Sequence, residues 1–242
     1  MLISSRDATR VEAAVQQLRR ISSEDCVHGA VCDVARPSDV DALVEKVSSA
    51  LGGCDVWVNN AGSNAYRYAP LTECTPEAIT EIVATNLTGT LLCTRAALRL
   101  MMRQGSGHIF NMLGAGSDGL PTGEFAVYGA TKAALPQLAK SLQSEFGDAP
   151  VSVHNISPGL VWTELIQAGK DTFGARGRFF INALCDPPAD VAKAMLPLML
   201  DVVARGPGQG SQTLRVLTPQ LAAQRMLQRL LLGENKGRYY PE

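Results

Sequence analysis

The chain has 242 residues, 46% of them hydrophobic, and a formal net charge of −1, with its 22 Lys and Arg scattered along the sequence. That length and apolar content suffice to bury the core of one α/β domain, and the balanced charge gives no reason to propose nucleic acid as a partner. The six cysteines stand far apart with no Cys-x-x-Cys pair, which implies neither a metal site nor a disulfide, and no apolar run reaches membrane-spanning length.

Strand and helix patterns alternate. Met1 to Ser4 is a short apolar strand, and Ala8 to Arg20 carries helical spacing through Val11, Ala14, Val15 and Leu18. Val27 to Val34 is predicted as a strand and Ser38 to Leu51 as a helix stopped by Gly52-Gly53. The buried strand Val56-Trp-Val58 runs into Asn59-Asn-Ala-Gly62. Thr75-Pro76 supplies a cap and a first-turn proline for a long helix reaching about Arg103. Ile109 to Asn111 is the next strand, Phe125 to Phe146 a helix, and Val151 to Ile156 a further strand. Such alternation predicts parallel strands joined by crossover helices, with a ligand at the carboxyl ends of the strands. Arg6, Asn60 to Gly62, Ser117 and Pro158-Gly159 follow predicted strands, and Asp33 stands at the end of one.

Tyr128 and Lys132 are four residues apart on one predicted helix and therefore share a face. Bringing a phenol from a pKa near ~10 to about 7 requires roughly 4 kcal/mol of preference for the phenolate. One positive charge at ~4 Å supplies about that much at an effective dielectric of ~20. The pair is thus a candidate proton donor and acceptor near neutral pH. Pro136 lies inside the same helix, and its ring conflicts with the carbonyl of Lys132, so a kink is expected one turn after the pair.

Four motifs, Asn59-Asn-Ala-Gly62, Asn86 in Thr-Asn-Leu-Thr-Gly, Tyr128-x-x-x-Lys132 and Pro158-Gly-Leu-Val-Trp-Thr163, resemble the hallmarks of the short-chain dehydrogenase/reductase family over nearly the whole chain. The resemblance implies a three-layer α/β/α Rossmann-type fold with a doubly wound parallel sheet. It also implies that Tyr128 is the general acid that protonates a carbonyl oxygen, and that Lys132 lowers its pKa while binding the nicotinamide ribose. Asn86 is expected to break its helix locally and hold a relay water. Asn60, Ala61 and Gly62 would let the backbone approach the cofactor. Asp33 and Val34 would meet the adenine, and Pro158, Gly159, Val161 and Thr163 the nicotinamide end, although Thr163 also suits a helix cap. At the end of the first strand Ser5-Arg6 offers a hydroxyl and a cation suited to a 2′-phosphate, which predicts NADPH over NADH, while an Arg in a helix-entry loop suits solvent equally. No metal ligand set is implied.

Two features depart from the family. The position about thirteen residues before the tyrosine, usually a serine, is Ala115, and Ser117 is the nearest hydroxyl, catalytic only if the glycines of Gly114 to Gly119 bend the loop. The family opens with a strand and a glycine-rich turn that cradles the pyrophosphate, whereas this chain begins at what corresponds to the second strand, roughly thirty residues later. The chain is therefore expected to be an N-terminally truncated single domain, 1–242, lacking the first strand and glycine-rich turn, with any targeting segment outside it.

Within the family, Asn60 to Tyr66, Gly107 to Gly119, Val153 to Gly159 and Phe179-Phe-Ile-Asn182 are similar to the chlorophyll(ide) b reductases of plants and green algae. That resemblance implies NADPH-dependent reduction of the 7-formyl group of chlorophyll b or chlorophyllide b, at the stromal face of the thylakoid in the chloroplast. It also implies as partners a membrane-anchored paralogue and the light-harvesting complex, in a homo- or hetero-oligomer. Another carbonyl substrate, a ketone or 3-oxoacyl group, and a non-catalytic subunit without cofactor binding both stay open. Residues 164–187, with Leu165, Phe173, Phe179, Phe180 and Ile181 among glycines, suit either a mobile lid over a large flat ligand or a segment closing the core. Residues 218–233 read as a last helix with a leucine stripe, for packing on its own domain or for a membrane surface or partner.

Overall fold

In a computed structural model of the chain, describing residues 1–22, 26–65, 68–168, 172–208 and 210–241, the alternation of strand and helix is present. Tyr66, in one of the stretches compared above, and Gly169, in the glycine-rich apolar segment, lie outside the described residues. The first half comprises β1 (Leu2–Ser5), α1 (Ala8–Arg19), β2 (His28–Val31), α2 (Pro37–Leu51) and β3 (Val56–Asn59). There follow α3 (Pro76–Val83), α4 (Thr90–Gln104), β4 (Gly107–Met112), α5 (Ala126–Phe146) and β5 (Val151–Ser157). The last third holds β6 (Leu160–Val161), α6 (Glu164–Gln167), α7 (Ala175–Leu184), β7 (Cys185–Asp186), α8 (Pro188–Ala204), β8 (Thr213–Arg215) and α9 (Pro219–Leu232).

All strand pairs are parallel, but the sheet is divided. One sheet has the order β1-β2, a second β3-β4-β5-β8, and β6-β7 forms a small third. The ladder of β1 points to β2 and that of β3 to β4, so among the described residues no strand joins the two larger sheets. One core holds them together: Ala30 and Cys32 from β2 and its exit, Trp57 from β3 and Ile109 from β4 pack with α2 and α4. The opposite faces are covered by α1, through Val11 and Val15, and by α8, through Met195 and Val202. Burial of those apolar stripes is what seats the helices, because helix propensity alone is marginal at these lengths.

The long helix predicted from Thr75 to Arg103 is three pieces. Thr75 caps α3 by accepting from the Ala78 N–H, residues Ala84–Gly89 form a π-helical turn, and α4 resumes from Thr90. The helix α5 runs on through Pro136.

Candidate active site

The carboxyl edge of the parallel strands gathers the residues expected there. Ser5 ends β1 and Arg6 follows it, Asp33 and Val34 lie beyond β2, Asn60, Ala61 and Gly62 follow β3, and Ser117 lies in the loop after β4. Pro158 and Gly159 follow β5, Val161 ends β6, and Thr163 stands at the N-cap of α6 without a cap bond from its hydroxyl. Gly159 adopts φ +83°, and a Cβ there would lie 2.6 Å from Leu217 Cβ, so this turn requires glycine on two grounds.

The π-turn places Asn86 at the centre. Its Oδ1 accepts from the Ser63 N–H at 2.7 Å, and its Nδ2 donates to the Ser63 carbonyl at 2.8 Å and to Thr131 Oγ1 at 3.1 Å. The extra residue of a π-turn re-aims a side chain out of the regular helical register, and such turns often lie at functional sites. One fully buried amide therefore ties the β3 exit to the catalytic-type helix α5. Ser63, Thr131 and the Met112 carbonyl were not singled out from the sequence, since their roles depend on what faces them. Asn59 ends β3 as a sheet tie, donating to Thr94 Oγ1 and Asn111 Oδ1.

Lys132 is 3% exposed and donates from Nζ to the Met112 carbonyl at 2.8 Å. Its Nζ stands 5.6 Å from the centre of the Tyr128 ring. Among the described residues Lys132 makes no hydrogen bond to the Tyr128 hydroxyl. Burial pushes Tyr128 up to about 12 and Lys132 down to about 8, because loss of water disfavours both charged forms. The helical spacing did put the two on one face, but the ammonium is engaged by a carbonyl rather than by the hydroxyl. The hydroxyl of Tyr128 instead sits over Gly114, where a Cβ would lie 2.3 Å from it. Gly116 (φ +88°) abuts the backbone of Gly129 at 2.7 Å from its would-be Cβ, so the 114–119 loop lies directly on the start of α5. Ser117, half-buried, donates its N–H to the Gly114 carbonyl within that loop.

Fit to a nicotinamide ribose rests on the donors. Lys132 has one hydrogen bond among the described residues, which leaves two of its three N–H groups, and a Cβ on Gly62 would fill the space 3.9 Å from Nζ and 3.6 Å from Asn86 Oδ1. The bare Gly62 backbone thus keeps a donor-and-acceptor corner open, suited to a diol. The adenosine end is differently disposed. Arg6, half exposed, stands 3.7 Å from Glu81 of α3, and Asp33 accepts from the Ala35 N–H while lying 3.7 Å from Arg36. Val34 packs on the π-turn, where a Cβ on Gly89 would meet it at 2.6 Å. Among the described residues no glycine-rich turn follows β1 or β2.

Among the described residues no group of His, Cys, Asp and Glu is placed to hold a metal ion, and no helix is long and apolar enough to cross a membrane. Among the described residues no disulfide joins the six cysteines, and Cys32, Cys93 and Cys185 are buried.

Residues 1–172 match the family model described as short chain dehydrogenase. The chain is 42% identical over 246 residues to "Chlorophyll(ide) b reductase NOL, chloroplastic" of Oryza sativa subsp. japonica, covering 100% of this chain and 71% of that protein. Identity to the protein of that name in Arabidopsis thaliana is 44% over 246 residues, covering 100% and 70%. Among solved structures, a gluconate 5-dehydrogenase from Burkholderia cenocepacia J2315 in complex with NADP and tartrate superposes with a TM-score of 0.74 at 26% identity, covering 92% of this chain and 85% of that one. With the Tyr128, Lys132 and Asn86 cluster at the carboxyl edge of a parallel sheet, these likenesses show that the chain belongs to the short-chain dehydrogenase family.

Proposed function

We propose that the chain reduces the 7-formyl group of chlorophyll b or chlorophyllide b to a 7-hydroxymethyl group, the first step in converting the b pigment to a. The observation that carries this is likeness to two chloroplast chlorophyll(ide) b reductases along the whole chain, together with a Tyr–Lys–Asn cluster suited to carbonyl reduction. The enzyme is an oxidoreductase that uses a nicotinamide cofactor, and it works in the chloroplast. NADPH is the proposed form, supported by the cation and hydroxyl of Arg6 and Ser5 at the β1 exit, which suit a 2′-phosphate once Arg6 leaves its weak, exposed pair with Glu81. The stromal face of the thylakoid, a membrane-anchored paralogue and an oligomeric assembly belong to the same proposal.

NADPH, with Lys132 at its ribose and Ser5 and Arg6 at its 2′-phosphate, would supply the hydride for the formyl carbon. As the carbonyl π pair moves onto oxygen, Tyr128 donates its hydroxyl proton to that oxygen. Burial keeps this phenol protonated at neutral pH, which is the state needed for a donor in the reductive direction. Lys132, with two N–H groups uncommitted among the described residues, would hold ribose hydroxyls and supply the positive charge that stabilises the transient phenolate. Asn86 keeps Ser63 and Thr131 in place around this corner, and Ser117 offers a further hydroxyl to the substrate oxygen. Within 164–187, the described residues 164–168 and 172–187 are the part of the chain proposed to cover the pigment.

Titration of the protein with NADPH and then chlorophyllide b, followed by the pigment's absorption band, tests the proposal. The expected result is NADPH-dependent conversion, with Tyr128→Phe still binding NADPH but slower by a hundredfold or more, about the scale of a lost general acid. Turnover of a ketone panel with the pigment untouched would remove the substrate assignment. Absence of NADPH binding would favour a non-catalytic subunit.

A further inference from the structure

Residues 238–240 form a short strap outside any helix or strand. Asn182 of α7, fully buried, pins it: its Oδ1 accepts the N–H groups of Tyr239 at 2.8 Å and Tyr240 at 3.0 Å, and its Nδ2 donates to the Tyr240 carbonyl at 2.9 Å. Arg238 adds a hydrogen bond to the Cys185 carbonyl at 3.0 Å and lies 3.4 Å from Asp186, which Arg225 of α9 also binds at 2.6 Å. Three bonds to one buried amide are a specific attachment, because each group left unpaired there would bear a desolvation penalty.

The strap is joined to the proton donor through rings. Tyr240 meets Phe173 edge-on at 6.4 Å, and Phe173 meets Tyr68 edge-on at 4.8 Å. Tyr68 stacks on Phe125 at 4.6 Å and 7°, and Phe125 stacks on Tyr128 at 4.4 Å and 24°. On its other side Tyr239 stacks on Trp162 at 4.4 Å. More than half of the chain's six Phe, five Tyr and two Trp thus stand in one series of contacts that ends at Tyr128. Tyr240 is buried at 7% exposure, whereas Tyr68, Phe125, Tyr128 and Phe173 are half-buried. The strap therefore backs the less buried rings from the interior and does not itself face a ligand. Rings that meet in stacked and edge-on pairs brace one another into an apolar wall beside Tyr128, which a large planar ligand can lie along, while a small carbonyl compound needs only the Tyr128 corner.

The geometry points to the strap, pinned by Asn182, as a positioning element for a planar aromatic substrate: Tyr240 holds Phe173, which with Tyr68 and Phe125 sets the substrate plane against Tyr128. The inference rests on the pigment assignment above and names the part of the chain that selects for size.

Steady-state turnover with NADPH, in wild type, Tyr240→Leu and Asn182→Ala, is compared for chlorophyllide b, pyrene-1-carboxaldehyde and benzaldehyde. Both variants are expected to raise KM for the two large planar aldehydes about tenfold, the scale of one lost aromatic contact, with benzaldehyde kcat/KM unchanged within about twofold. Tyr240→Leu keeps an apolar side chain, so it retains the fold if Asn182→Ala does not. An equal fall for all three aldehydes, or no change for any, overturns the inference. If wild type reduces the pyrene aldehyde but not the pigment, the substrate assignment fails alone, and the pyrene-to-benzaldehyde ratio in Tyr240→Leu still decides the strap. A wild type that reduces none of them overturns both.

Discussion

Lys132 is an ammonium held out of water for the benefit of the site, and its cost to the fold is measurable. Its pKa is lowered by burial from 10.5 to about 8, so between those values the unfolded chain binds a proton that the folded chain does not. A depressed folded pKa means that stability rises with pH across this window, and below pH 8 the full penalty of about 3 kcal/mol applies. Lys132→Met is expected to raise the melting temperature at pH 7 while abolishing turnover, with the difference from wild type vanishing as pH approaches 10.5. A variant melting lower than wild type at pH 7 would show that the bond to the Met112 carbonyl outweighs desolvation. The Tyr128–Lys132 pair was legible as a spacing, because helical geometry alone sets who shares a face. Its electrostatics were not, because the burial and the Met112 carbonyl come from β4, twenty residues away.

At the level of elements, adjacent strands bury an imidazole pair. The Gln212 N–H donates to His154 Nδ1 at 3.2 Å, so the proton of the neutral His154 ring sits on Nε2, directed at His108 Nδ1 at 3.2 Å. Burial lowers both, His154 to about 4, with His108 beside it as a second cause. Depressed folded pKa values leave stability unchanged above pH 6.5 and remove it as pH falls toward 4, by about 3 kcal/mol for His154. Unfolding midpoints taken from pH 7 to pH 4.5 are expected to fall less steeply in His154→Gln, whose amide oxygen still accepts the Gln212 N–H. Equal slopes would count against titration of this pair. Nothing in the local sequence pairs the two histidines, because their meeting requires the β4–β5 register. The break of one predicted helix at Ala84–Gly89 was expected around Asn86 from the family resemblance, whereas the apolar periodicity of Thr75 to Arg103 runs on through it. The segments β6, β7 and β8 had no strand signal, being two or three residues long.

For the whole molecule, division of the sheet sets where the fold is weakest. β4 lies between β3 and β5 with most of its residues buried, while among the described residues β1 and β2 each have a ladder partner on one side. Amide hydrogen exchange is expected to be at least about tenfold slower in β4 and β5 than in β1 and β2, a difference of ~1.4 kcal/mol in opening free energy. Equal protection would mean that the shared core of α2 and α4 couples the two sheets into one cooperative unit. The sequence by itself determined the α/β alternation, the strand exits where polar and glycine residues collect, and the family. These follow from local periodicity, caps and short motifs, which need no distant partner. Only the tertiary structure decided that Asn86 grips Ser63 and Thr131, that Lys132 binds a carbonyl, and that Asn182 pins the chain's end beside the aromatic series. Each of those contacts joins residues of different elements, and what a side chain does there depends on the group that packing brings opposite it.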